Sequence, residues 1–143
     1  MTHSQYLNGR LAALSPPLKI SVVNSSSHQR NAEATVLRQH GYLVKEVATA
    51  EEVDAISEPD FPHLFVVNFR DEEGYRLAQK IRQRSIDVGV LLVVSSVNGN
   101  HREHPFQSGA DNFLYRPYVF DELLAVVRSL TRRLGANMKV GYR

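Results

Sequence analysis

The sequence predicts a single doubly wound α/β domain built on a parallel sheet, and three observations carry that prediction. Residues 64–67 and 88–94 are unbroken apolar runs, the pattern of strands covered on both faces. Strand-like and helix-like segments alternate five times, which implies parallel strands joined by right-handed crossovers. A chain of 143 residues with 43% hydrophobic content is long enough to bury one core.

Taken in order, residues 1–17 form an extension outside the core fold. Tyr6, Leu7, Leu11 and Leu14 sit at helical spacing, but Gly9 within and Ser15-Pro16-Pro17 after them make a weak helix. Residues 20–23 read as the first strand. The polar turn Asn24-Ser25-Ser26-Ser27 supplies N-caps for a helix carrying Ala34, Val36 and Leu37, which Gly41 stops. Residues 42–47 alternate and read as a second, more exposed strand.

Thr49 and Glu52 fit a capping box opening a short helix through Val53 and Ile56, broken by Pro59 and Pro62. The central strand follows and stops on Asn68. Residues 72–84 form the third helix, with Leu77 and Ile81 facing the sheet and Arg76, Lys80, Arg82 and Arg84 on a charged outer face. The fourth strand is 88–94. Residues 98–108 are poor in helix signals because Asn98-Gly99-Asn100 and Pro105 interrupt them. Residues 112–115 are the fifth strand, and Arg116-Pro117 makes an extended step before an amphipathic last helix. That helix carries Leu123, Leu124, Val127 and Leu130 on one stripe, and Gly135 is expected to end it.

With five strands the flavodoxin-like order 2-1-3-4-5 is the natural choice, and it sets the carboxyl ends of strands one and three side by side. Asn24, Ser25 and Asn68 then share the crevice where such sheets bind ligands. Asn68 stands where a reactive group is expected, yet an amide is neutral and a poor nucleophile. The organisation expected is an extension at 1–17, a core domain at 18–134 and a linker at 135–143.

Composition excludes several function classes. The chain has no Cys, so it has neither disulfides nor thiol chemistry. No long apolar stretch spans a membrane and no signal-like segment opens the chain, so the expectation is a cytoplasmic protein. The six His show no metal-ligand spacing; His101 and His104, three apart, fall in an expected loop. The serines at 25–27 and 95–96 have no evident base, and no Gly-rich phosphate loop precedes a helix. These absences argue against an enzyme. The net charge of +2 is concentrated in Arg128, Arg132, Arg133, Lys139 and Arg143. Two readings of that tail stand: a helix end favoured by its dipole, or a linker toward a nucleic-acid-binding module.

The segment Gly109-Ala110-Asp111-Asn112-Phe113-Leu114-Tyr115-Arg116-Pro117-Tyr118 resembles the Gly-Ala-Asp-Asp-Tyr-Leu-x-Lys-Pro-Phe motif of bacterial response-regulator receiver domains of the winged-helix (OmpR/PhoB) type. Phe120-Asp121-Glu122-Leu123-Leu124 with Arg128, the strand 62–68 and the strand 19–23 extend the likeness over roughly residues 18–133. The resemblance implies a site in which an Asp ending strand three accepts phosphate from a histidine kinase, with Mg²⁺ held by it and by an acidic pair after strand one. Position by position this chain departs from it. Asn68 occupies the phosphoacceptor position, and Asn24 and Ser25 the acidic pair. Val94, or Ser95 if the following loop is one residue shorter, occupies the Ser/Thr position. Arg116 replaces the Lys, and Phe113 is the switch aromatic.

Mg²⁺ demands hard, usually anionic oxygens, and three neutral side chains are expected to forfeit it. Without a carboxylate acceptor or a metal, phosphoryl transfer loses its acceptor and its charge neutraliser. The expectation is therefore a degenerate pseudo-receiver with no cofactor. Asp71, Glu72 and Glu73 read as solvated acids at a helix start. Arg116 is either an exposed Arg or the partner of Asp71 or Glu72, mimicking an activated state.

The resemblance also implies homodimerisation through the family's fourth helix, fifth strand and fifth helix, a face that here includes Asp111, Asn112, Arg128 and Arg132. The first functional expectation is the phosphorylation-independent regulatory and dimerisation module of a transcription regulator, with DNA bound by a C-terminal domain outside this chain. The alternative is a stand-alone adaptor that binds a protein partner or small ligand in the vacated pocket.

Overall fold

β-Branched and apolar residues form five strands here because both faces of the sheet are covered, and a strand that is covered twice needs no polar alternation. The structure, a computed structural model, describes residues 17–95 and 107–141, with side chains as far as Gly135. The strands are β1 Lys19–Asn24, β2 Leu43–Val47, β3 Leu64–Asn68, β4 Gly89–Ser95 and β5 Asn112–Arg116. Their order is β2-β1-β3-β4-β5, with every neighbouring pair parallel. This is the flavodoxin-like order expected from the sequence. β3 is buried throughout, whereas β2, at an edge, alternates between covered and exposed residues.

The helices described along their whole length are α1 Ser27–Gln39, α2 Ala50–Asp54, α3 Asp71–Arg84 and α4 Phe120–Gly141. α2 and α3 cover one face, where Val53, Leu77, Ala78 and Ile81 pack on Val23, Phe65, Val67 and Leu92. α1 and α4 cover the other, with Leu37, Leu123, Val127 and Leu130 against Ile20, Val22, Val66 and Leu91. Each fully buried aliphatic side chain of these two layers contributes about 1.5–3 kcal/mol as an upper bound.

Local chemistry starts and stops these helices. Ser26 caps α1 by accepting from the Gln29 amide at 3.3 Å. Gly41 takes φ +92, the left-handed conformation that lets the chain turn from α1 into β2. Thr49 caps α2 as expected, accepting from the Glu52 amide at 3.1 Å. Glu52 reaches back one residue further than a capping box requires, to the Ala48 amide at 3.3 Å.

Three expectations are corrected. α4 does not stop at Gly135 but runs to Gly141, because an interior glycine lowers helix stability by only about 1 kcal/mol. A 3-10 turn at Glu58–Asp60 follows α2, which ends at Asp54 with Ile56 buried just beyond it. Arg82 leaves the charged outer face of α3 and folds back, and Arg84, though exposed, bends its guanidinium toward α2. Arg82 donates to the carbonyls of Gly109, Ile86 and Val88 and to Asp111; Arg84 donates to those of Val53 and Ile56 and lies 4.6 Å over the Phe61 ring. The expected weak helix at 4–14 and most of the interrupted segment at 98–108 lie outside the described residues.

Candidate functional site

Parallel pairing brings Asn24 opposite Asn68 and Ser95 opposite Arg116, so four polar residues collect at the carboxyl edge of the sheet. Both asparagines are buried, at 2% and 7% exposure, and buried polar groups need partners. Asn24 accepts from the Ser26 amide through Oδ1 at 2.9 Å and donates through Nδ2 to Glu33 at 2.9 Å. Asn68 donates through Nδ2 to the other Glu33 oxygen at 3.2 Å. Its Oδ1 accepts from Arg116, Nε at 3.1 Å and Nη2 at 2.9 Å.

The chemistry of these neighbours dictates what can stand between them. A carboxylate only accepts and a guanidinium only donates, so the side chain that satisfies both at once must offer N–H on one side and O on the other. An amide does so.

Arg116 is the hub of the crevice. Besides Asn68 it donates to Asp71 at 3.0 Å, Ser95 Oγ at 3.4 Å, and the carbonyls of Val93 (2.9 Å) and Phe69. Asp71 accepts in turn from the Ser95 amide at 3.0 Å. Of the two readings of Arg116, the structure therefore holds the paired one, with Asp71 as an ion-pair partner at 3.0 Å. Asp71 is correspondingly not a solvated helix-start acid, since its side chain is only 13% exposed.

Ser25 joins Asn24, Asn68, Ser95, Arg116 and Asp71 around a cleft of about 690 Å³. Val94 does not: it is 2% exposed within the core beneath α3, so Ser95 is the residue that faces the cleft. The expectation of neutral oxygens alone is corrected by two carboxylates, Asp71 at the rim and Glu33 behind it. Neither is free, because Asp71 is held by Arg116 and Ser95, and Glu33 by Asn24, Asn68 and the Tyr118 hydroxyl. Burial first, and then the hydrogen bond to Glu33, push the Tyr118 hydroxyl well above the usual tyrosine range. Among the described residues no group of three or more His, Asp or Glu is placed to hold a metal.

Phe113 is half-buried against the α3-side core and meets Tyr115 edge to face at 5.2 Å. Of the four residues assigned to an interface, Arg128 and Arg132 are exposed on α4. Asp111 is occupied within the chain, by Arg82 at 2.8 Å and by the Val90 amide at 2.8 Å. Asn112 accepts from the Phe113 amide at 2.8 Å. His101 and His104 lie outside the described residues.

Sequence reasoning missed Glu33 and Tyr118. A signal for the first existed, since Glu33 lies one turn before Leu37 and beside Ala34 on the apolar stripe of α1, where an acid requires a partner. Tyr118 gave none, because the contact spans 85 positions.

Comparison with known proteins agrees with this fold. The family profile described as "Response regulator receiver domain" matches residues 20–128. The chain is 28% identical over 137 residues to "Probable transcriptional regulator ycf27" of Cyanophora paradoxa, covering 87% of this chain and 57% of that one. It is 25% identical over 118 residues to "Virulence transcriptional regulatory protein PhoP" of Salmonella choleraesuis, covering 81% and 53%. Among solved structures, the response regulator DrrB, described as a Thermotoga maritima OmpR/PhoB homologue, superposes with a TM-score of 0.72 at 25% identity, covering 82% of this chain and 54% of that one. The chain thus spans about half the length of the relatives it matches.

Proposed function

The chain belongs to the response regulator receiver domain family, and from that premise we propose that it is a phosphorylation-independent member, the regulatory module of a transcription regulator. The observation that carries this reading is the Arg116 guanidinium, seated among Asn68, Asp71 and Ser95. The resemblance puts an Asp at position 68 in active relatives, with a phosphoryl group and Mg²⁺ beside it. Here an internal cation and its acceptors fill that polar ring.

The residues present do not fit Mg²⁺. Octahedral coordination needs hard oxygens free to face the ion. The Asn24 oxygen accepts from Ser26 N, the Asn68 oxygen from Arg116, and the Asp71 carboxylate from Arg116 and Ser95 N. A divalent cation would have to displace a paired guanidinium of its own sign. Asn68, lacking a carboxylate, also cannot become an acyl phosphate. No catalytic role follows, and the domain is not an enzyme.

In this reading the Arg116–Asp71 pair stands in for the contact that phosphate would make, tying β5 to the start of α3. Phe113 packed against the core beneath α3 supports a standing switched conformation. Because the relatives are named as transcriptional regulators and are about twice as long, DNA binding is assigned to a C-terminal domain outside these residues. Homodimerisation through the face of β5 and α4, with Asp111, Asn112, Arg128 and Arg132 on it, completes the proposal, as does a cytoplasmic location. Among the described residues no helix is long and apolar enough to cross a membrane.

Light scattering of the purified domain, with and without Mg²⁺ and beryllofluoride, tests the reading. The expected result is a dimer whose mass is the same in all conditions. A monomer that dimerises only when both are added would overturn it.

A further inference from the structure

Glu33 is 1% exposed, and burying a carboxylate costs several kcal/mol unless hydrogen bonds replace its water. Three neutral donors, from two strands and the β5–α4 connection, do this. Asn24 at the end of β1 donates to Oε1, while Asn68 at the end of β3 and Tyr118 at the entry to α4 donate to Oε2. The cage thus joins α1, the central strands and the last helix through one side chain.

We propose that Glu33 is a standing internal anion that positions the junction between β5 and α4, and that residues 24 and 68 are amides because they serve as its donors. The inference rests on the phosphorylation-independent reading and deepens it, since it concerns what the neutralised positions do rather than what they lack. The negative charge that the resemblance assigns to the strand ends has moved to α1, and the strand ends have become its donors.

The geometry gives this a consequence. Asn68 Nδ2 lies 3.2 Å from Glu33 Oε2. A carboxylate at position 68 would place two acceptor oxygens at that separation, where they repel unless one of them takes up a proton, and either course costs folding stability. Arg116 would hold one oxygen of the new carboxylate, but the other would still face Glu33. Restoring an acid at 68 is therefore opposed by position 33. The reciprocal exchange is tolerated, because a glutamine amide at position 33 can donate across the same gap to a carboxylate at position 68, while Arg116 pairs with the relocated charge.

The test is a double-mutant cycle of wild type, Glu33→Gln, Asn68→Asp and the double variant, read by thermal unfolding. Each single variant is expected to lower Tm by about 5 °C or more, and the double to return to within about 2 °C of wild type. If Asn68→Asp does not fold, recovery of a folded protein in the double variant reads the same coupling. Losses that simply add in the double variant would overturn the role of Glu33. Each variant and the wild type are also heated with Mg²⁺ and beryllofluoride. A rise in the Tm of wild type would sink the phosphorylation-independent reading while leaving the cycle intact. Additive losses with an unresponsive wild type would remove only the inference about Glu33.

Discussion

Arg82 and Arg116 are two arginines that fold back onto the same sheet from opposite ends, and they hold different kinds of partner. Arg82 donates to three backbone carbonyls, of Gly109 at 3.0 Å, Ile86 at 2.9 Å and Val88 at 2.8 Å, and closes on Asp111. Carbonyls are present whatever the sequence. Arg116 also donates to two carbonyls, of Val93 and Phe69, but in addition it gathers three side chains that each had to be chosen: Asn68, Asp71 and Ser95. The first knot secures the start of β5 against β4, and the second specifies the chemistry of the crevice. A polar cluster bonded to backbone is mostly architecture, whereas one bonded to side chains from several elements is where function is to be sought.

The contrast breaks most readily at Arg82. Arg82→Met takes this donor from three carbonyls and leaves Asp111 with the Val90 amide alone, so it is expected to destabilise by about 2–4 kcal/mol in urea unfolding. Arg116→Met removes more contacts, but from a more open site. Its expected loss is smaller, about 1–2 kcal/mol, and its larger consequence is a crevice whose Asp71 and Asn68 oxygens are freed. If Arg116→Met proved the more damaging of the two, the division between architecture and site would fail.

Gly109→Ala probes the Arg82 knot from its other side. Gly109 sits at φ +85, and an added Cβ would lie 3.1 Å from Arg82 Cγ. The left-handed conformation and the crowded arginine together should cost about 1–2 kcal/mol, measured by the same unfolding curves. In an Arg82→Ala background Cγ and Nε are gone and only Cβ, at 3.3 Å, remains near, so the penalty should shrink.

The smallest effect is expected at His63, beyond both knots. Its Nδ1 accepts from the Lys19 amide at 2.9 Å, and burial followed by the Lys19 charge lowers its pKa. The unfolded histidine takes a proton near its ordinary 6.5 and the folded one resists it. Stability should therefore rise with pH through the window just below 6.5 and fall as the solution is made more acid. His63→Asn keeps an acceptor without a proton to gain, so its Tm should be flatter between about pH 5 and 7.

How far the sequence could be read differs along the chain. Residues 64–68 were legible as a buried central strand because an unbroken apolar run has few other uses, and the order 2-1-3-4-5 followed from five alternations. Arg76 and Lys80 lie on the exposed side of α3, as spacing implies, while Arg82 is half-buried and Arg84, exposed overall, still lays its guanidinium against the Val53 and Ile56 carbonyls. Periodicity places a Cα on a face but says nothing of where a long flexible side chain finds acceptors. α4 continues past Gly135 for a related reason, since a local breaker is outweighed by the helix on both sides of it.

What the sequence determined by itself was the fold and the identity of the residues at the strand ends, because both follow from local pattern and from neighbours in the chain. Asn24, Ser25 and Asn68 were nameable in advance as crevice residues from the strand order, Arg116 from the resemblance, and Ser95 only as the alternative to Val94. Only the tertiary structure decided that Ser95 and not Val94 faces the cleft, that Arg116 pairs with Asp71, and that Glu33 lies caged between Asn24, Asn68 and Tyr118. Those contacts join residues up to 85 positions apart, and their existence depends on burial. A charge drawn out of water takes whatever donor or acceptor the packed chain brings within about 3 Å, and no local pattern in the sequence encodes that distance.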